Sequence, residues 1–206
     1  MKSMKILLSV LVLAFFTNLN LSADHHTAEL GKKAPDFTLK SAQGKTHSLS
    51  DFKGKYVVLE WVNFDCPFVK KHYGSKNMQK TQKEMTAKDV VWLSICSSAE
   101  GKQGYYEGKD LLDRIKSEGS NATAYLIDAD GKVGKEYAAK TTPHCYVINP
   151  EGKLIYAGAI DDKPSADQND VKEANNLVKS CITEAMAGKA ITTATSKPYG
   201  CGVKYK

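Results

Sequence analysis

Arginine is almost missing from this sequence: of its 29 basic residues, Arg114 alone is an arginine. Two-point contacts to phosphates and base edges rely on the guanidinium fork, so a net charge of +6 carried by lysine argues against nucleic acid as a partner. Also lacking is any CxxC pair. Five widely spaced cysteines in 206 residues make neither a zinc site nor a disulfide-stapled scaffold, and no glycine-rich phosphate loop is present, so neither a metal nor a cofactor is expected. Apolar runs of membrane-spanning length are missing too. Hydrophobic residues at 42% and charged residues at 25% are ordinary globular usage, which excludes a disordered, collagen-like or multi-span chain. The length fits one domain.

The one long greasy stretch is an address. Lys2 and Lys5 precede apolar residues 6–16, and polar and small residues follow to Ala23, the pattern of a secretory signal cleaved after Ala23. Asp24 stands where a lipid-bearing cysteine would stand, so no lipid is expected. The protein is expected to be exported, periplasmic or extracellular, with no stable membrane anchor after processing. Residues 24–30, with His25 and His26, read as a flexible leader, residues 31–187 as the folded domain, and residues 188–206 as a cysteine-containing tail.

Within the domain, residues 36–39 and 46–49 alternate like the arms of a hairpin around a Gln43-Gly44-Lys45 turn. Residues 56–62 and 90–96 are nearly continuously apolar and β-branched, as central strands covered on both faces are. Residues 67–88 are helical in composition, with Gly74 expected to kink or divide them, and a second helix is expected over 110–118. Short strands follow at 124–127, 145–148 and 154–157. Residues 128–131 read as a plain turn rather than a calcium loop, because later acidic ligands are missing. A final helix is expected over 167–187, with Val171, Ala174, Leu177, Val178, Cys181 and Ile182 on its apolar face. Alternating strands and helices predict an α/β fold with a central mixed sheet flanked by helices and an N-terminal β-hairpin extension.

Chemistry converges on Cys66. It follows a buried strand, and Pro67 behind it is the residue favoured at a helix's first position, which makes Cys66 the N-cap. A sulfur there faces unpaired backbone N–H groups and the positive end of the helix dipole, both favouring thiolate, the nucleophilic form. Lys70, one turn on, assists ionisation and adjacent Asp65 opposes it. His72 lies too far round a straight helix to act as a base.

The order Ala34-Pro35-Asp36-Phe37, then residues 49–55, a hydrophobic strand, Cys66-Pro67, and Thr142-Pro143 before another strand resembles the redoxin (AhpC/TSA, peroxiredoxin-like) branch of the thioredoxin fold over about residues 30–187. That resemblance implies a cis Pro143 packed against the reactive sulfur, with Thr142 and Pro143 positioning an extended substrate and Pro67 setting the helix start. It departs from the family in two places. Val69 occupies the position of the second cysteine of cytochrome-maturation thioredoxins, and Leu59 and Asn63 occupy those of the peroxidatic proline and threonine. What remains is similar to a single-cysteine peroxiredoxin-like group.

A lone nucleophile needs a second thiol to release it. Cys201 is the first internal candidate, in a tail expected to be flexible, then Cys96 at a strand end, then Cys145, with an external thiol reductant standing level with any of them; Cys181 on an apolar helix face reads as core. Either His144 or Cys145 faces the site, since neighbours on a strand alternate. The expected activity is thiol-dependent oxidoreduction, acting on protein or small-molecule thiols and disulfides or on peroxides. Two other functions stay open: a copper-handling protein using Cys66 with His144 or Cys145, Val62 filling the place of the copper chaperones' extra cysteine, and a non-catalytic binding module. For the redox chemistry the sulfur has to lie within reach of the proline bend and not deep among side chains.

Overall fold

A computed structural model describes residues 27–206. The expected export signal and the His25-His26 pair lie outside the described residues. The N-terminal hairpin forms as β1 (Thr38–Ser41) and β2 (Thr46–Ser48), with Leu39 opposite His47; Leu49 leaves the strand to begin a 3-10 turn. The two apolar runs become β3 (Val57–Trp61) and β4 (Val91–Cys96), buried at every position and paired in parallel with Val57 opposite Val91. β5 (Ala124–Ile127), β7 (His144–Ile148) and β8 (Leu154–Gly158) complete a seven-stranded sheet ordered β2-β1-β5-β4-β3-β7-β8. β4 and β5 are parallel and the outer pairings antiparallel, so the sheet is mixed.

The helices are α1 (Pro67–Gly74), α2 (Asn77–Thr86), α3 (Gly108–Glu118), α4 (Lys132–Glu136) and α5 (Leu177–Met186). Strand alternation sorts the side chains between two cores. Val58, Trp92 and Val147 meet Tyr73, Met78, Met85, Leu111, Val178 and Ile182 from α1, α2, α3 and α5. Val57, Leu59 and Trp61 face the other way, against Phe37, Leu49 and Val133. Each fully buried aliphatic side chain contributes roughly 1.5–3 kcal/mol.

Gly74 divides the first helical stretch as expected. α1 ends on it, Lys76 at φ 62° turns the chain, and α2 starts anew. A Cβ at Gly74 would lie 2.6 Å from the Gln168 side-chain nitrogen, which the exposed glutamine would have to swing aside to accommodate. One expectation is corrected, and one unexpected helix follows an expected turn. The final helix is broken into a 3-10 turn over Gln168–Lys172 and α5, because Asn176 folds back to accept the Lys179 N–H (2.9 Å) as an N-cap; Val171 and Ala174 are only half-buried. The turn at 128–131 leads into α4, whose first amides, from Val133 (3.1 Å) and Gly134 (2.8 Å), are taken up by the Asp128 carboxylate.

Neither end of the described chain hangs loose. The Ala28 N–H, in the expected leader, donates to the Glu136 carbonyl at 2.9 Å. The tail runs beside β8, whose Ala157 donates to the Ala194 carbonyl and accepts from the Ser196 N–H, both at 3.2 Å, and so covers an open sheet edge. It then forms β9 (Cys201–Gly202) against β6 (Thr141–Thr142) in an antiparallel pair.

Candidate active site

The turn between β3 and α1 is locked by its own side chains. Asn63 accepts the Asp65 N–H on its side-chain oxygen (2.9 Å) and the Cys66 N–H on its carbonyl (3.0 Å), which delivers Cys66 to the N-cap with Pro67 at the first helical position. The peptide bond between Thr142 and Pro143 is cis, and the Cys66 thiol donates to the Thr142 carbonyl at 3.1 Å. Thr142 is in register with Cys201 across the β6–β9 pair. Cys66, the Thr142–Pro143 bend and Cys201 therefore meet at one place, from three separate parts of the chain. All five cysteines are free thiols.

Burial alone pushes the Cys66 thiol up, but hydrogen bonds from the Cys201 thiol, the Thr142 side chain and the Val69 and Cys201 amides outweigh it and hold it below the ordinary thiol value. Val69 is the third residue of α1, so its amide is one of the helix's unpaired donors. The Thr142 hydroxyl is buried without a hydrogen-bond partner among the described residues while Cys66 is a thiol, which leaves it ready to donate to the ionised sulfur. Cys201 moves the other way: burial first, and then the neighbouring Cys66, push it up to about 11. Asp65 does not oppose ionisation at full strength, because Arg114 pairs with it at 3.2 Å and the Tyr106 hydroxyl donates to it at 2.9 Å. Lys70 is exposed, its side chain turned to solvent.

The sulfur lies beside the proline bend, yet Cys66 is 0% exposed. The tail supplies part of its cover, with Cys201 packed against the same core cluster and opposite Thr142. Gly200 packs so tightly on β6 that a Cβ there would run into the Thr142 carbonyl, 2.8 Å from its carbon, at a φ of +134° that L side chains rarely adopt. Ahead of it, the Tyr199 hydroxyl donates to Asp161 and accepts from Lys71 Nζ (3.3 Å), with His72 Nε2 at 3.2 Å. Beyond it, the Val203 N–H donates to the Lys140 carbonyl (3.1 Å), the Ala99 N–H to the Lys204 carbonyl (2.9 Å) and the Tyr205 hydroxyl to the Ala139 carbonyl (2.8 Å).

The other candidates do not meet Cys66. Cys96 donates to the Gly104 carbonyl at 3.4 Å. Cys145 shares the Cys66 side of the sheet but sits opposite Glu60, where burial pushes its thiol far up. Cys181 is core in α5, with burial pushing it up to about 12. His144 faces the opposite core, against Tyr146. Burial holds it and His72 down at about 4, both neutral. Trp61 also faces away and donates to Ser97 (2.9 Å), while Phe64 packs on Tyr73 and Tyr125. No group of three or more histidine, cysteine or acidic side chains among the described residues could hold a metal ion.

Two buried polar clusters escaped sequence reasoning. Glu60, inside β3, accepts from Trp92 (2.8 Å), Ser94 (3.0 Å), Tyr73 (3.1 Å) and Gln82 (3.1 Å), while burial holds its carboxyl above the usual range. A carboxylate in an otherwise apolar strand was the available signal. Lys71 is fully buried, 3.1 Å from Asp161 and 2.6 Å from the Lys163 carbonyl. Nothing in the sequence separates it from exposed Lys70.

Among known proteins, the chain is similar to peroxiredoxin Bcp of Bacillus subtilis (30% identical over 142 residues, 63% of this chain and 83% of Bcp). It is also similar to the thiol-disulfide oxidoreductase ResA of the same organism (29% over 125 residues, 61% of this chain and 64% of ResA). A hypothetical protein of Sinorhizobium meliloti has the same fold over 88% of this chain and 97% of its own, at 22% identity and a TM-score of 0.73. The thioredoxin domain of a Bacteroides vulgatus thiol-disulfide oxidoreductase covers 71% of this chain and 98% of its own, at 23% identity and a TM-score of 0.52, so the fold is the thioredoxin fold. The AhpC/TSA family matches residues 30–157. That stretch is more than half of the chain and contains both the Cys66 turn and the cis-proline bend, so the protein belongs to the AhpC/TSA family.

Proposed function

We propose that the protein is an exported thiol–disulfide oxidoreductase with Cys66 as nucleophile and Cys201 as the thiol that releases its product. The observation that carries this is the placement of Cys66 at a helix N-terminus against the cis Thr142–Pro143 bend, its thiol 3.1 Å from the Thr142 carbonyl and Thr142 in register with Cys201. The Cys66 thiolate attacks one sulfur of a substrate disulfide. A Cys66–substrate disulfide forms and the other substrate sulfur leaves as thiolate. Consuming the Cys66 charge removes part of what pushed Cys201 up, so Cys201 can lose its proton to the departing thiolate. Cys201 then attacks the Cys66 sulfur, giving a Cys66–Cys201 disulfide and a second substrate thiol. The substrate disulfide gains two electrons and the dithiol loses two; an external thiol reductant restores it.

Thr142 and Pro143 border the sulfur and position the substrate, and Pro67 fixes the helix start. Relatives named both peroxiredoxin and thiol-disulfide oxidoreductase fit this chemistry. Disulfide exchange is favoured over peroxide reduction by Leu59 and Asn63 in the peroxidatic proline and threonine positions. Export rests on the basic and apolar N-terminal pattern; no helix among the described residues is long and apolar enough to cross a membrane. Cys66→Ser should abolish turnover of a disulfide substrate with the fold intact, and Cys201→Ser should accumulate a Cys66 mixed disulfide visible by mass spectrometry. Full turnover by Cys66→Ser would refute the assignment.

A further inference from the structure

A nucleophile with no exposed surface cannot meet a macromolecular disulfide until something moves. What lies over Cys66 is an extended strand, held to β6 by main-chain pairing with Thr142 opposite Cys201. Such pairing reads backbone and not side chain, and would accept another extended segment equally. Gly200 lets the resident strand approach more closely than a residue with a side chain could, since a Cβ there would strike the Thr142 carbonyl. Both ends of the strand are fastened by a tyrosine hydroxyl, Tyr199 on Asp161 and Lys71, Tyr205 on the Ala139 carbonyl. Upstream, Ser196 is fixed to β8 through its own N–H (3.2 Å) and through its hydroxyl, which receives the Ala159 N–H (2.9 Å).

We infer that residues 199–205 are a resident strand occupying the position that an extended polypeptide disulfide takes when it reacts, so that substrates are chain segments able to displace the tail. This rests on the oxidoreductase function proposed above and adds its substrate class and gate. Opening frees the strand from Tyr199 onward and lets water reach the Lys71–Asp161 pair, relieving part of its desolvation. The incoming segment pairs with Thr141 and Thr142, Cys66 attacks its disulfide, and one substrate sulfur leaves as thiolate. Cys201, only a few residues beyond fixed Ser196, stays within roughly 17 Å of that anchor and returns at high effective concentration to attack the Cys66 sulfur. The second substrate thiolate leaves and takes a proton. The strand thus closes the site at rest and carries the releasing thiol.

The test uses the full reduced chain and two probes: an extended ten-residue peptide whose single cysteine is joined to thionitrobenzoate, and the small symmetrical disulfide dithiobis(nitrobenzoate). Adducts are assigned by mass spectrometry. Wild-type Cys66 should react faster with the peptide than with the small disulfide. Gly200→Ala, which expels the strand, and Tyr199→Phe, which removes one fastening, should each speed Cys66 alkylation by iodoacetamide about tenfold. Amide hydrogen exchange over residues 201–204 should rise in both variants, and in Cys201→Ser once the peptide is trapped on Cys66. If Gly200→Ala does not fold, Tyr199→Phe carries the test. Unchanged alkylation in a variant whose tail amides exchange faster would overturn the gate, and a small disulfide outpacing the peptide in wild type would overturn the substrate class. Failure of Cys66 to form a mixed disulfide with either probe, even in the opened variants, would remove the oxidoreductase function itself.

Discussion

At the scale of single residues, the site is a competition between burial and donors around one sulfur. Removing Cys66 from water disfavours its charge, and four hydrogen bonds reverse the sign, that from the Cys201 thiol being the largest. Replacing Cys201 by alanine deletes that donor and should move the midpoint of Cys66 alkylation against pH upward, toward the ordinary thiol value. A midpoint that stays put would show that the Val69 and Thr142 donors suffice. Cys66 and Pro67 were legible in the sequence because N-cap chemistry is local. Cys201 could be ranked but not seated, since Thr142 and Cys201 are brought together only by the β6–β9 pair. Glu60 and Lys71 show the same limit from the other side: their partners come from distant segments, and burial decides their importance.

At the scale of elements, α1 does two things at once. Its first turn points amides at Cys66, and its second buries Lys71 against Asp161 beneath Tyr199. A buried ion pair broken on one side leaves an uncompensated charge. Lys71→Met should therefore cost about 3–5 kcal/mol in urea denaturation, and Lys71→Met combined with Asp161→Leu should recover most of that loss. A single substitution no worse than the double would mean that the two charges do not stabilise each other. The central strands β3 and β4 were readable because two-sided burial writes continuous apolar sequence. The broken final helix was not, because the Asn176 cap competes with a helix-compatible composition that runs straight through it.

At the scale of the whole molecule, two buried neutral histidines contribute stability that acid removes. His72 faces Asp161 and Lys71 on one side of the sheet, and His144 faces Tyr146 and the Lys140 amide on the other. Burial lowers both from 6.5 to about 4, so between these values the unfolded chain binds more protons than the folded one. Their contribution is complete above pH 6.5 and is lost as pH falls toward 4, by at most about 3 kcal/mol each. The buried Asp128 carboxyl, raised by burial to about 6, and buried Glu60 act with the opposite sign over the same window, so the histidine contribution is read as a difference: from pH 6.5 to 4 the melting temperature of His144→Gln should fall less than that of the unsubstituted chain. Identical profiles would mean that His144 reaches water in the folded state.

The sequence by itself determined the α/β order, the two central strands and the seat of Cys66 at a helix start, because each depends on residues within a few positions of one another. Tertiary structure alone decided that the tail is a strand, that Cys201 is the thiol meeting Cys66, and that the sulfur is covered. The physical reason is that backbone pairing between β6 and β9 is indifferent to side-chain pattern: a tail of glycine, lysine and tyrosine carries no strand periodicity, and its conformation comes from the groove that receives it.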